Sequence, residues 1–139
     1  MGTWSHEPFG NDQACDWAAE LKESSGFSAI EEAFDQVIAG KDEDFIDADI
    51  GCIAHAAAEI LVQILGQSTE DLEFLGGVNQ WIAKLSEKPS ATLIQKGILA
   101  LDLLTQENSE LDELWLDSDD HVEWVANLDT LKEILQSKL

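Results

Sequence analysis

Arginine is absent from this chain of 139 residues, and lysine occurs only seven times against 29 aspartates and glutamates. Without arginine there is no bidentate clamp of the kind that usually holds phosphate or carboxylate substrates. So few cations also argue against direct binding of nucleic acid, because phosphate contacts supply most of that affinity. Cysteine is scarce as well: Cys15 and Cys52 are too few for a disulfide framework and fit a reducing compartment. No stretch approaches the roughly 18 apolar residues that a membrane span requires. The opening Met1-Gly2-Thr3-Trp4 has no basic segment followed by an apolar run, so a cytoplasmic protein without a secretory signal is expected. A myristoylation signal fails at His6, where Ser or Thr would be needed. Glycine-rich phosphate loops and nucleophile elbows are missing, and His6, His55 and His121 have no Ser or Cys neighbour in a known catalytic motif. The expectation is a binding protein rather than an enzyme, with no cofactor and no metal.

What the chain has in excess is negative charge, a formal −22 with a pI near 4.1. Charge of this size adds nothing to a fold, but its field can speed encounter with a basic partner by roughly 10- to 1000-fold. Hydrophobic residues make up 45% of the chain and five are Trp, which rules out a disordered acidic tail. A chain of about 150 residues buries roughly 68–70% of its unfolded surface, so residues 1–139 are read as a single domain with one core.

Apolar residues recur at three- and four-residue spacings nearly throughout, and no useful segment alternates with period two, which predicts an all-α fold. The first helix opens at Asn11 or Asp12, with Ala14, Trp17, Ala18 and Leu21 inward. Ser28 and Glu31 form a capping-box pattern for a second helix that runs to Gly40, read as its C′ residue. The most apolar stretch, about Ile50 to Leu65, is the expected central helix and stops at Gly66. A fourth element opens at Ser68 or Thr69 and is split or kinked at Gly76-Gly77. A fifth follows Ser90, in which Gly97 lets a neighbouring backbone approach closely. A short sixth runs from Ser109 to Leu116, and the last covers about Asp119 to Ser137. The prediction is a single-domain bundle of six or seven helices around the central one.

Two stretches concentrate the charge. Asp42, Glu43, Asp44, Asp47 and Asp49 precede the central helix, and eight acids without a lysine lie between Glu107 and Glu123. An EF-hand counted from Asp42 fails, since its sixth and twelfth positions hold Asp47 and Ile53. The expected partner-binding residues are those five together with Glu110, Asp112, Glu113, Asp117, Asp119 and Asp120. Trp115 is the candidate aromatic anchor among them. The competing reading makes Leu111, Leu114 and Trp115 core residues of a short helix with a wet acidic face. Cys52, His55 and Glu59 share a helical face with metal-ligand spacing, but no second ligand pair completes a site. They read better as a less apolar stripe of a buried helix, together with Ala56 and Gln63, with His55 and Glu59 bonded to each other or to a neighbouring segment.

Met1-Gly2-Thr3-Trp4, Phe9-Gly10-Asn11-Asp12, Asp16-Trp17, Asp47-Ala48-Asp49, Ala56-Ala57-Ala58-Glu59 and Ser109-Glu110-Leu111-x-Glu113-Leu114-Trp115 occur in an order that resembles domain of unknown function 4259. Ser5 and Glu7 depart from glycines common in that family. The resemblance implies a small helical protein of bacterial origin with no established activity. At the chain start, Trp4 and Phe9 are expected to fold over the central helix, with the Gly2 amine or Trp4 indole donating to Glu59 or Asp49.

Size, helicity and charge together suggest an immunity protein that neutralises a basic cytosolic toxin such as a nuclease, whose substrate-holding surface must itself be positive. The alternatives are a metal-dependent or hydrolytic enzyme using His55, Glu59, Asp47 and Asp49, and a nucleic-acid mimic. Mimicry predicts acids spaced regularly along one face, whereas here they fall in two clusters.

Overall fold

The computed structural model describes residues 6–43 and 45–139. Among them are seven α-helices: α1 Asp12–Leu21, α2 Ser28–Ala39, α3 Ala48–Ile64, α4 Val78–Ala83, α5 Ala91–Leu103, α6 Glu110–Leu116 and α7 His121–Ser137. The all-α bundle is therefore what the chain forms; the expected Gly2 and Trp4 contacts lie outside the described residues.

α3 is the axis. From Gly51 to Val62 every residue but Ile53 is buried, including Ala54, Ala56, Ala57 and Ala58. A helix that is apolar nearly all round must be covered on all sides, and α1, α2, α5, α6 and α7 all pack against it. The alanines keep that packing close, while Ile60, Leu61 and Val62, fully buried, fill the space between neighbours. Burial of each such branched side chain is worth about 1.5–3 kcal/mol. Around this axis α2, α5 and α7 pack in sequence. Lys96 on α5 reaches Glu31 and Asp35 on α2 at 3.1 and 2.9 Å, and Lys132 on α7 reaches Asp102 on α5 at 2.8 Å.

Several helix ends follow their sequence signals. Asn11 Oδ1 accepts from the Ala14 amide at 2.8 Å, and Ser90 and Ser109 cap α5 and α6 in the same way. Others differ. The Ser28–Glu31 capping box does not form, because Phe27 is the N-cap and no side chain bonds to the first turn of α2. Gly40 is right-handed, with φ −80°, and the chain tightens there into a 3₁₀ turn over Gly40–Asp42 instead of stopping. α3 begins two residues earlier than expected because the Asp47 carboxylate caps it, accepting from the Asp49 amide at 2.8 Å. Neither Ser68 nor Thr69 opens a helix. The expected fourth element is split: a 3₁₀ turn over Glu73–Leu75 is separated from α4 by Gly76 and Gly77, whose φ values of +54° and +87° only glycine adopts readily.

Gly97 admits a close neighbour, but not a backbone. A Cβ there would lie 3.2 Å from the Phe34 ring and 3.3 Å from Leu135 Cδ1, so the missing side chain makes room for side chains of α2 and α7.

Candidate functional site

The two acidic stretches, separate in sequence, are stitched together by the backbone. Ile46 and Ser109 form an isolated parallel β-bridge. The Ile46 amide donates to Asn108 O at 2.7 Å, and the Glu110 amide donates to Ile46 O at 3.0 Å. Side chains extend the seam: Asn108 Nδ2 donates to Glu43 O at 3.1 Å, and Glu110 Oε1 accepts from the Ala48 amide at 2.8 Å. Ile46 and Ser109 are both buried beneath it. The segment before α3 and the segment opening α6 thus form one acidic region.

Its members divide by role. Glu43, Asp47, Asp49, Glu113, Asp117, Asp119 and Asp120 are exposed. Glu110 serves the seam, and Asp112, with a side chain only 15% exposed, accepts a 2.8 Å hydrogen bond from His121 Nε2. Asp44 and the Asp42 side chain lie outside the described residues.

Trp115 is not a rim anchor. It is 8% exposed and stacks on Trp124, with ring centroids 6.3 Å apart and planes inclined by 22°. Leu111 and Trp115, four residues apart, form the inner face of α6, which turns Leu114 outward. The exposed apolar side chains of the region are instead Phe45, Leu114, Leu116 and Val122, at 51, 49, 59 and 74%. Helical phase set by Leu111 and Trp115 would have identified Leu114 from sequence. Phe45 carried no sequence signal that separated it from its neighbour Ile46, which the fold buries.

A second polar cluster lies inside. His55, 2% exposed, is aligned with Asn127 Oδ1 at 2.5 Å, so Nε2 carries the donated proton. Asn127 Nδ2 donates to Thr69 Oγ1 at 3.0 Å, and that hydroxyl donates to Glu59 Oε1. Glu59, with no exposed surface, also accepts from the Thr69 amide at 3.1 Å and from Gln63 Nε2 at 2.8 Å. Burial pushes the Glu59 carboxyl above its usual range, against the pull of these donors. Burial also depresses His55 to about 4, keeping the imidazole neutral at neutral pH. Further out, Glu70 Oε1 accepts from the Phe9 amide at 3.1 Å, which pins the N-terminal loop over the core, and desolvation raises Glu70 to about 7.

His55 and Glu59 are therefore bonded to neighbouring segments rather than to each other. They knit α3 to α7 and to the loop after α3. Asp47 and Asp49 sit at the exposed start of α3, and twelve residues of helix set Asp47 about 18 Å from Glu59, so the structure does not bring this acidic pair to the buried one. Among the described residues, no group of three His, Cys, Asp or Glu side chains is placed to hold a metal ion. Thr69, Glu70 and Asn127 carried no motif, and only their positions in the fold reveal their part in the network.

A family model described as a domain of unknown function (DUF4259) matches residues 2–127. The chain belongs to the DUF4259 family. No curated protein and no solved structure matches it. The match to DUF4259 covers both acidic segments, the buried cluster and the first residues of α7. No helix among the described residues of this DUF4259 chain is long and apolar enough to cross a membrane.

Proposed function

We propose that this DUF4259 chain is a partner-binding protein that neutralises a basic protein, most concretely an immunity protein acting on a basic cytoplasmic toxin such as a nuclease. The observation that carries this reading is the Ile46–Ser109 seam, which merges two acidic stretches into one region bearing the exposed apolar side chains Phe45, Leu114, Leu116 and Val122. Apolar contacts ringed by charge suit a protein interface, where desolvated anchors supply affinity and surrounding charges supply steering and specificity. With seven lysines against 29 acids, little positive charge offsets the outward field.

The test is capture from the native organism with wild-type chain and with Asp117, Asp119 and Asp120 all changed to Asn, followed by association kinetics across a salt series. A basic partner whose association slows in the triple variant and with rising ionic strength supports the reading. Capture of no basic protein, or association indifferent to salt, would sink it. The three exposed changes should shift folding stability by no more than about 0.5 kcal/mol.

A further inference from the structure

One part of the chain runs against its overall charge. Residues 74–101 hold three of the seven lysines and only one of the 29 acids, Glu87. α4 lies within this stretch, and between it and the turn joining α1 to α2 opens a cleft of about 830 Å³, a size suited to a small molecule. Lys22, Lys84, Phe27, Trp81, Ser25 and Glu87 are on its walls.

Two of these residues are fixed in place. Lys22 Nζ donates to Gly76 O at 2.7 Å and approaches Leu75 O at 3.4 Å, which holds the ammonium at the wall instead of leaving it to sweep through solvent. Trp81 Nε1 donates to Ser24 O at 3.0 Å, which locks the indole between α4 and the α1–α2 turn. The cleft therefore presents a preset positive charge beside a preset aromatic plane, and little ordering entropy remains to be lost on binding.

We propose that this cleft binds a small organic monoanion with a flat apolar body, an aromatic carboxylate in the simplest case. The ring lies against Trp81 and Phe27, and the carboxylate is shared by Lys22 and Lys84. Two lysines against Glu87 leave the walls one positive charge in excess, which a single carboxylate neutralises and a dianion overshoots. The rest of the surface repels anions, so the cleft is selective by exclusion. At physiological salt the remote acids are screened beyond about 8 Å, while the lysines act at contact distance.

The test uses full-length labelled protein titrated with naphthoate at pH 7, following backbone amide and indole N–H resonances, with Trp81→Phe used to assign the indole. Saturable shifts confined to Ser25, Phe27, Trp81 and Lys84 are expected. Lys84 is exposed, so Lys84→Glu and the milder Lys84→Gln should leave thermal unfolding unchanged while weakening binding about tenfold and about threefold. Naphthamide, neutral and of nearly the same shape, should bind several-fold more weakly than naphthoate. Shifts centred elsewhere, absence of saturation, or equal binding by the Lys84 variants or by the amide would overturn the proposal.

Discussion

Replacing Glu70 by glutamine should stabilise the protein at pH 8 and leave it unchanged near pH 4.5. Glu70 sits half-buried with its carboxylate on the Phe9 amide, and the Glu7 and Glu59 carboxyls lie near enough to repel its charge. Desolvation is the main cause that lifts it from the usual 4.5 to about 7. A carboxyl whose folded value lies above its unfolded one disfavours the native state once ionised. Stability is therefore lost as pH rises from 4.5 through about 7, and the full penalty applies above that. The interval corresponds to about 3 kcal/mol, which solvent screening of a half-exposed group reduces to about 1–2 kcal/mol. Glutamine keeps a carbonyl for the Phe9 amide and has no charge to desolvate. Urea unfolding of both proteins, followed by tryptophan fluorescence between pH 4.5 and 8, gives the difference directly, and taking the difference removes the general effect of ionising the other acids. A variant advantage that does not grow with pH, or a variant less stable at pH 8, would refute the reasoning.

Glu110→Ala removes the acceptor for the Ala48 amide and should cost about 1 kcal/mol; faster hydrogen exchange at Ile46 and Ala48 would show that the seam has loosened. Asn127→Ala strands the His55 proton and frees Thr69, so thermal unfolding should register a loss of about 1–3 kcal/mol. Gly97→Ala gains about 1 kcal/mol of helix preference, but it drives a methyl against a fully buried Phe34 ring, and overpacking of about 1–3 kcal/mol should win. A higher melting temperature for that variant would mean that the ring moves aside freely.

Helix content and the central position of α3 were legible because both rest on local pattern: periodic apolar residues, Asn, Ser or Asp at helix starts, and a run too apolar to face water. The failures lie where tertiary contacts compete with local signals. The Ser28–Glu31 box is overridden, with Glu31 drawn instead to Lys96 on α5. Thr69, an expected helix opener, is held by Glu59 and Asn127. At the candidate interface, sequence located the charge but misassigned the aromatic, because burial of Trp115 depends on Trp124, which belongs to a different helix. The union of the two acidic stretches has no sequence signature, since a two-residue bridge needs only backbone groups.

That bridge also sets when the acidic region comes into being. Glu110 and Ala48 are 62 residues apart in the chain, so no shorter piece contains both sides of the seam. During synthesis at about 5–20 residues per second, the first acidic stretch emerges several seconds before its mate, and until α6 has docked the chain offers only separate clusters. A partner that requires the joined region thus selects the completed fold, and each binding event feeds back as added folding stability that grows with partner concentration. Under the proposed function, recognition would double as proofreading of the chain that is recognised.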